Sequence, residues 1–291
     1  MSENTGSSRL LFFLIFVGIF VAVAAGTSTQ VVTQPSLNPA PPPANTLSTV
    51  MNWLPWVLLA GFAYWLIKRT VTQKEVKAYN AAVQKMNARN FQEALAGFEE
   101  VLPNVKNKYL YPIALWGKSC CQYKLGRPYE ALETLGEAQA ALKAAKTEKG
   151  DTAYIIHKEL SEQWAVEGHP DAARRYLDLA VKSEPPAVQT PLTLAELMIL
   201  CRENRLGEAI GLVEKEFSKV EGHYSGDQVR ELKLFWAFAL KSQPDSAETA
   251  AKLLAGLYPY KPGEFDYLAV NWPELKAFLI AHNLSAPHAA A

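Results

Sequence analysis

Apolar positions fall along the 291-residue chain in two regimes. Residues 10–26 (LLFFLIFVGIFVAVAAG) and 51–67 (MNWLPWVLLAGFAYWLI) are apolar runs without a charged side chain. As helices rising ~1.5 Å per residue, each just reaches across about 30 Å of bilayer hydrocarbon. From residue 74 onward the apolar positions recur instead at helical spacing, broken by short turns and with almost no β-type alternation. Five of these amphipathic stretches line up on one alanine: FQEALAGFEEVL at Ala94, PYEALETLGEAQ at Ala131, PDAARRYLDLAV at Ala173, LGEAIGLVEKEF at Ala209 and PDSAETAAKLLA at Ala247. The spacings are 37, 42, 36 and 38 residues. A turn signal precedes each alanine, and another amphipathic stretch precedes each turn. The pattern predicts an all-α chain built on a helix–turn–helix unit repeated about five times over residues 74–260.

The two apolar runs differ in their flanks. Trp53 and Trp56 stand at the entry of residues 51–67, Tyr64 and Trp65 near the exit, and Lys68 and Arg69 close it, as expected where a helix meets lipid headgroups. Pro55 falls in the first turn, where its missing N–H costs little. This run reads as a transmembrane helix. Residues 10–26 read either as a second transmembrane helix or as a signal peptide, because Ala22-Val23-Ala24 also suits a cleavage site. Gly18, Ala22 and Gly26 recur every four residues, a small-residue stripe that would let another helix pack closely in the membrane. Residues 27–50 hold no charge and include Pro41-Pro42-Pro43, which makes them a polyproline-like, non-cytoplasmic linker. Arg9 in the flank 1–9, and Lys68, Arg69, Lys74 and Lys77 after the second run, place both outer flanks on the cytoplasmic side. The expected location is therefore a bacterial-type inner (plasma) membrane, with the repeat region facing the cytoplasm.

Residues 157–185 (HKELSEQWAVEGHPDAARRYLDLAVKSEP) resemble a tetratricopeptide repeat (TPR). They have Ser161 at the small crossing position, Gly168 at the turn, then Ala173, Leu177, Ala180 and Pro185. The first unit (Ala82, Phe91, Ala94, Phe98) and the second (Ser119, Gly126, Ala131, Leu135, Ala138) are similar to it; the fourth and fifth depart, with Leu197 and Phe235 at the small position and no glycine in the turn. The resemblance implies an α-solenoid of about five helix pairs whose first helices line a concave, protein-binding groove. Carried over by position, it assigns Tyr79, Met86, Trp116, Tyr123, Lys158, Glu162, Met198 and Trp236 to that groove, aromatic and methionine-rich as suits an apolar peptide or helix. The same residues also suit interhelical core. Residues 261–291 follow as a turn at Lys261-Pro262-Gly263, a capping helix begun by Trp272-Pro273, and a tail.

Charge narrows the functional classes. Three of the 29 basic and one of the 29 acidic residues precede residue 71, which leaves 26 against 28 for the remainder. An array that is slightly acidic is no polyanion binder, so no nucleic acid is expected. Cys120, Cys121 and Cys201 lack metal or redox spacing, and His157, His169, His223, His282 and His288 include no i, i+4 pair and read as solvated. Nucleotide and nucleophile-elbow motifs are absent, so no cofactor, no metal and no enzyme activity are expected. The expected partners are other proteins and the lipid bilayer. The function that follows is a membrane-tethered TPR scaffold, or alternatively an accessory subunit held in a larger membrane complex through its transmembrane helices.

Overall fold

The computed structural model describes residues 58–62, 73–183, 191–220 and 222–286. The chain divides into two compact units, residues 1–62 and 63–291. Of the first, residues 58–62 are helical, and Leu58, Leu59 and Phe62 are exposed. Among the described residues no helix is long and apolar enough to cross a membrane. The run 10–26 with Gly18, Ala22 and Gly26, the linker 27–50 and most of the run 51–67 lie outside the described residues.

The described residues of the second unit are helical and contain no strand. The helices are α1 (residues 73–87), α2 (Phe91–Val101), α3 (Leu110–Lys124), α4 (Pro128–Ala145), α5 (Asp151–Val166), α6 (Pro170–Ser183), α7 (Thr193–Arg202), α8 (Leu206–Val220), α9 (Gly226–Leu240), α10 (Ala247–Ala255) and α11 (Pro273–Ala281). Odd and even helices from α1 to α10 form five successive pairs. From α2 to α10 each helix packs on the next, and α5, α7 and α9 also pack side by side.

One local device repeats through the first four pairs. Arg89, Gly126, Gly168 and Asn204 adopt the left-handed conformation, each five residues ahead of its alanine. The residue after each donates its N–H five residues back, as in Asn90 N to Lys85 O and His169 N to Trp164 O at 2.9 Å, which closes the first helix with a Schellman turn. Ala94, Ala131, Ala173 and Ala209 are then fully buried at the crossing. In two pairs a serine twelve residues earlier completes the joint: Ser119 Oγ donates to Ala131 O at 3.0 Å, and Ser161 Oγ to Ala173 O at 2.9 Å. Each such bond contributes on the order of 1 kcal/mol.

The fourth pair keeps this register despite Leu197, which is buried opposite Ala209. The fifth does not. Phe235 holds the equivalent position and is fully buried, a 3₁₀ turn (Pro244–Ser246) precedes α10, and Ala247 is exposed. Instead α10 packs through Ala250, Leu253 and Leu254. A phenyl ring fills the space in which an alanine methyl would have met the first helix. The C-terminal helix starts as expected, with Pro273 in its first turn and Leu275, Phe278 and Leu279 buried.

A close approach in the second pair gives a test. A methyl group on Gly117 of α3 would stand 2.4 Å from the ring of Phe98, itself fully buried and unable to yield. Gly136, inside α4, has nothing within 4 Å. Gly117→Ala is expected to lower the unfolding free energy by about 1–3 kcal/mol through overpacking. Gly136→Ala is expected to raise it by up to about 1 kcal/mol through helix propensity. Denaturant midpoints of the two variants check both signs.

Candidate functional site: the inner face of the array

The segment between α10 and α11 crosses the C-terminal ends of the first helices in chain order. Glu264 accepts from Arg89 Nη1 in the first turn at 2.6 Å. The Tyr267 hydroxyl accepts from Lys124 Nζ at the end of α3 (2.5 Å) and donates to Glu231 of α9 (2.6 Å). Asn271 donates to Glu167 just beyond α5, and its carbonyl accepts from Arg202 at the end of α7 (3.0 Å). The Arg202 guanidinium stacks 4.7 Å from the Trp272 ring centroid, and that ring packs against Phe235 and Phe238. Residues 264–272 thus lie across four first helices, where the repeat resemblance would seat a peptide ligand.

Behind this segment is a buried charged centre. Lys158 Nζ and Glu162 Oε1 of α5 are 2.7 Å apart, and both side chains are nine-tenths buried. Lys124 pairs with Glu231 from α9. Burial pushes the Glu162 carboxyl up to about 7; Lys158 opposes that rise, and the like charges of Glu159 and Glu231 add to it. The Lys158 ammonium is held above its ordinary range, since attraction to Glu162 and Glu159 outweighs its own desolvation. Beside the segment, a cavity of about 520 Å³ is lined by Arg89, Phe91, Lys124, Arg230, Glu231 and Tyr267 among others. Its Arg89, Lys124 and Arg230 are each paired with a carboxylate.

The eight groove residues assigned from the sequence take different places. Tyr123, Lys158 and Glu162 belong to the inner face but are buried, Tyr123 edge-on against Tyr267. Met198 is buried in the largest apolar cluster. Trp116 and Trp236 are half-buried against core clusters, and their indole N–H groups find no acceptor among the described residues. Tyr79 and Met86 pack over the first pair, with the Tyr79 ring 5.9 Å from that of Phe98. The sequence reading missed the seating of residues 264–272. Its trace was present in Phe265, Tyr267, Leu268 and Trp272, four apolar positions packed closely after the Pro262-Gly263 turn.

The candidate chemical groups are structural. Cys121 and Cys201 are buried, which pushes each thiol up to about 12, and Cys120 is raised well above its ordinary value by the same cause. Burial of this kind disfavours the nucleophilic thiolate. His157, expected in solvent, is buried; its Nδ1 lies 3.0 Å from Ser183 Oγ, tying α5 to the end of α6. Desolvation lowers its pKa. Among the described residues no group of three His, Cys, Asp or Glu side chains is placed to hold a metal ion.

No family model and no curated protein matches the chain. Among solved structures it is similar to the kinesin light chain nearly identical TPR-like repeats of Podosopora anserina, at 13% identity and a TM-score of 0.44 over 68% of this chain and 96% of that one. So distant a likeness adds nothing to the helix pairing described above.

Two measurements probe the inner face. Because the folded Glu162 carboxyl binds its proton more tightly than the unfolded one, its contribution to stability is full below about 4.5 and is lost as the pH rises toward about 7. The unfolding free energy of the wild type minus that of Glu162→Gln should therefore fall across this window and level off above it, as read by denaturation at fixed pH values. Tyr267→Phe removes a hydroxyl that bridges two charges and is expected to cost about 1.5–3 kcal/mol in the same assay.

Proposed function

We propose that this chain is a membrane-tethered helical-repeat scaffold that holds other proteins at a bilayer. The observation that carries the reading is the stack of helix pairs closed on itself by residues 264–272. Such an array presents a large helical surface, and its buried ion pairs, Lys158 with Glu162 and Lys124 with Glu231, join side chains of the array to one another. The uncharged N-terminal quarter, with apolar runs at 10–26 and 51–67, supports tethering, and the exposed Leu58 and Leu59 agree with it. The basic residues that follow, Lys68, Arg69, Lys74 and Lys77, support a cytoplasmic array at a bacterial-type plasma membrane. Tethering raises the effective concentration of the array toward other membrane components, so a modest affinity suffices.

A protein partner has two surfaces available. Of the groove residues assigned by the repeat resemblance, Tyr79, Met86, Trp116 and Trp236 keep partial exposure. Tyr129 at the start of α4 is 72% exposed, its hydroxyl accepting from Asn271 Nδ2 at 3.3 Å.

Thiol labelling in sealed membrane vesicles tests the topology, in a Cys120→Ser background because that thiol is partly exposed while Cys121 and Cys201 are buried. A cysteine at Ser36 should react from the outside, and one at Tyr129 only after permeabilisation; the reverse pattern overturns the orientation. Photo-crosslinkers at positions 79, 116, 129 and 236 test the scaffold. Discrete adducts with a second polypeptide are expected from at least one of them, and adducts from none would remove protein binding from the account.

A further inference from the structure

We propose that the turn joining α2 to α3 is an interfacial foot that rests on lipid headgroups beside the tether; this rests on the membrane reading above. The turn reads Val105-Lys106-Asn107-Lys108-Tyr109-Leu110-Tyr111, and Lys106, Lys108, Tyr109 and Tyr111 are all exposed. Tyr109 is 60% exposed and Tyr111 36%, two phenol rings flanking a buried Leu110. They are held in place. Asn107 Oδ1 accepts from Tyr109 N at 3.0 Å, and Asn107 O accepts from Leu110 N and Tyr111 N at 3.0 Å, which fixes the entry to α3. Lys108 Nζ lies 5.1 Å from the Tyr109 ring centroid.

The position of the turn gives these rings a destination. Lys106 N donates to Glu75 Oε1 at 3.2 Å, so the turn is fastened to the first turn of α1. Glu75 is buried, while Gln73, Lys74, Val76 and Lys77 around it are exposed. The apolar run 51–67 ends eight residues before Glu75. Eight residues reach no more than about 28 Å even fully extended. The turn is therefore confined to the neighbourhood of the point at which the chain would leave the hydrocarbon.

The chemistry fits a headgroup layer better than open water. Tyrosine concentrates at membrane interfaces because its ring is apolar and its hydroxyl wet, and lysine can lay its stem along lipid while the ammonium stays hydrated. Tyr64 and Trp65 beside Lys68 and Arg69 repeat the same pairing at the end of the apolar run. Glu75, Glu99 and Glu100 set against the exposed Lys74, Lys77, Lys106 and Lys108 leave an excess of one positive charge. The contact is thus one of amphipathic rings rather than of bulk charge, and it does not require anionic lipid.

The test uses the full chain reconstituted in phosphatidylcholine vesicles that carry a headgroup-linked nitroxide lipid. A fluorophore is placed at Lys106→Cys and, for comparison, at Tyr258→Cys, a site 78% exposed beyond α10. Quenching at position 106 is expected to exceed that at 258 by about twofold or more, as for a group at the interface. Adding Tyr109→Ser and Tyr111→Ser should bring it down to the level at 258 with the thermal transition unchanged. Equal quenching at the two sites, or no effect of the serines, in a chain that stays with the vesicles through alkaline carbonate overturns the foot and leaves the tether standing. A chain that washes off in carbonate overturns both.

Discussion

Two helices can approach closely only where nothing larger than a methyl group stands between them, and the array is built on four such places. Ala94, Ala131, Ala173 and Ala209 each sit in a crossing that the preceding turn aims. The left-handed residue five positions earlier sets the angle, and in two pairs a serine hydroxyl locks the distance. Once these joints are made, the apolar stripe of every helix faces a neighbour. No single pair could bury its stripe alone, so stacking follows from the joint rather than from any separate cause. Where the joint fails, in the fifth pair, a phenyl ring takes the crossing and the chain turns to a different solution.

That solution is residues 264–272. With α10 packed through Ala250, Leu253 and Leu254, the chain continues back across the ends of the first helices, and Trp272 covers the rings of Phe235 and Phe238. Charge supports the arrangement. Arg89, Arg230, Lys124 and Arg202 all find oxygen acceptors on the returning segment or beside it. Burying charge is costly unless it is paired, and the inner face pairs Lys158 with Glu162 and Lys124 with Glu231.

Helix period and turn chemistry made the repeat legible before any coordinates. The alanine spacing located four crossings to the residue, because a buried methyl and a left-handed turn are local requirements that leave local traces. Asn204 shows the limit of reading glycine alone, since asparagine tolerates the same backbone and kept the fourth pair in register. The inner face was harder. Position within a repeat identifies the side of a helix and not what will cover it, so Tyr123 was placed on the correct face without its partner Tyr267. That partner is supplied by residues more than a hundred positions away, as in Lys124 with Glu231 and Tyr267. Nothing in a helical period encodes such a pairing. His157 was likewise read as solvated because its partner, Ser183, comes from another helix.

The bond from Arg89 to Glu264 joins positions 175 residues apart. In an open solenoid each repeat feels only its neighbours, and the stack can unzip from either end one unit at a time. Here the first turn is bonded to the segment that follows the last pair. The array is therefore a ring of dependencies rather than a ladder. The two ends of the stack are thus coupled through contacts that an open solenoid lacks.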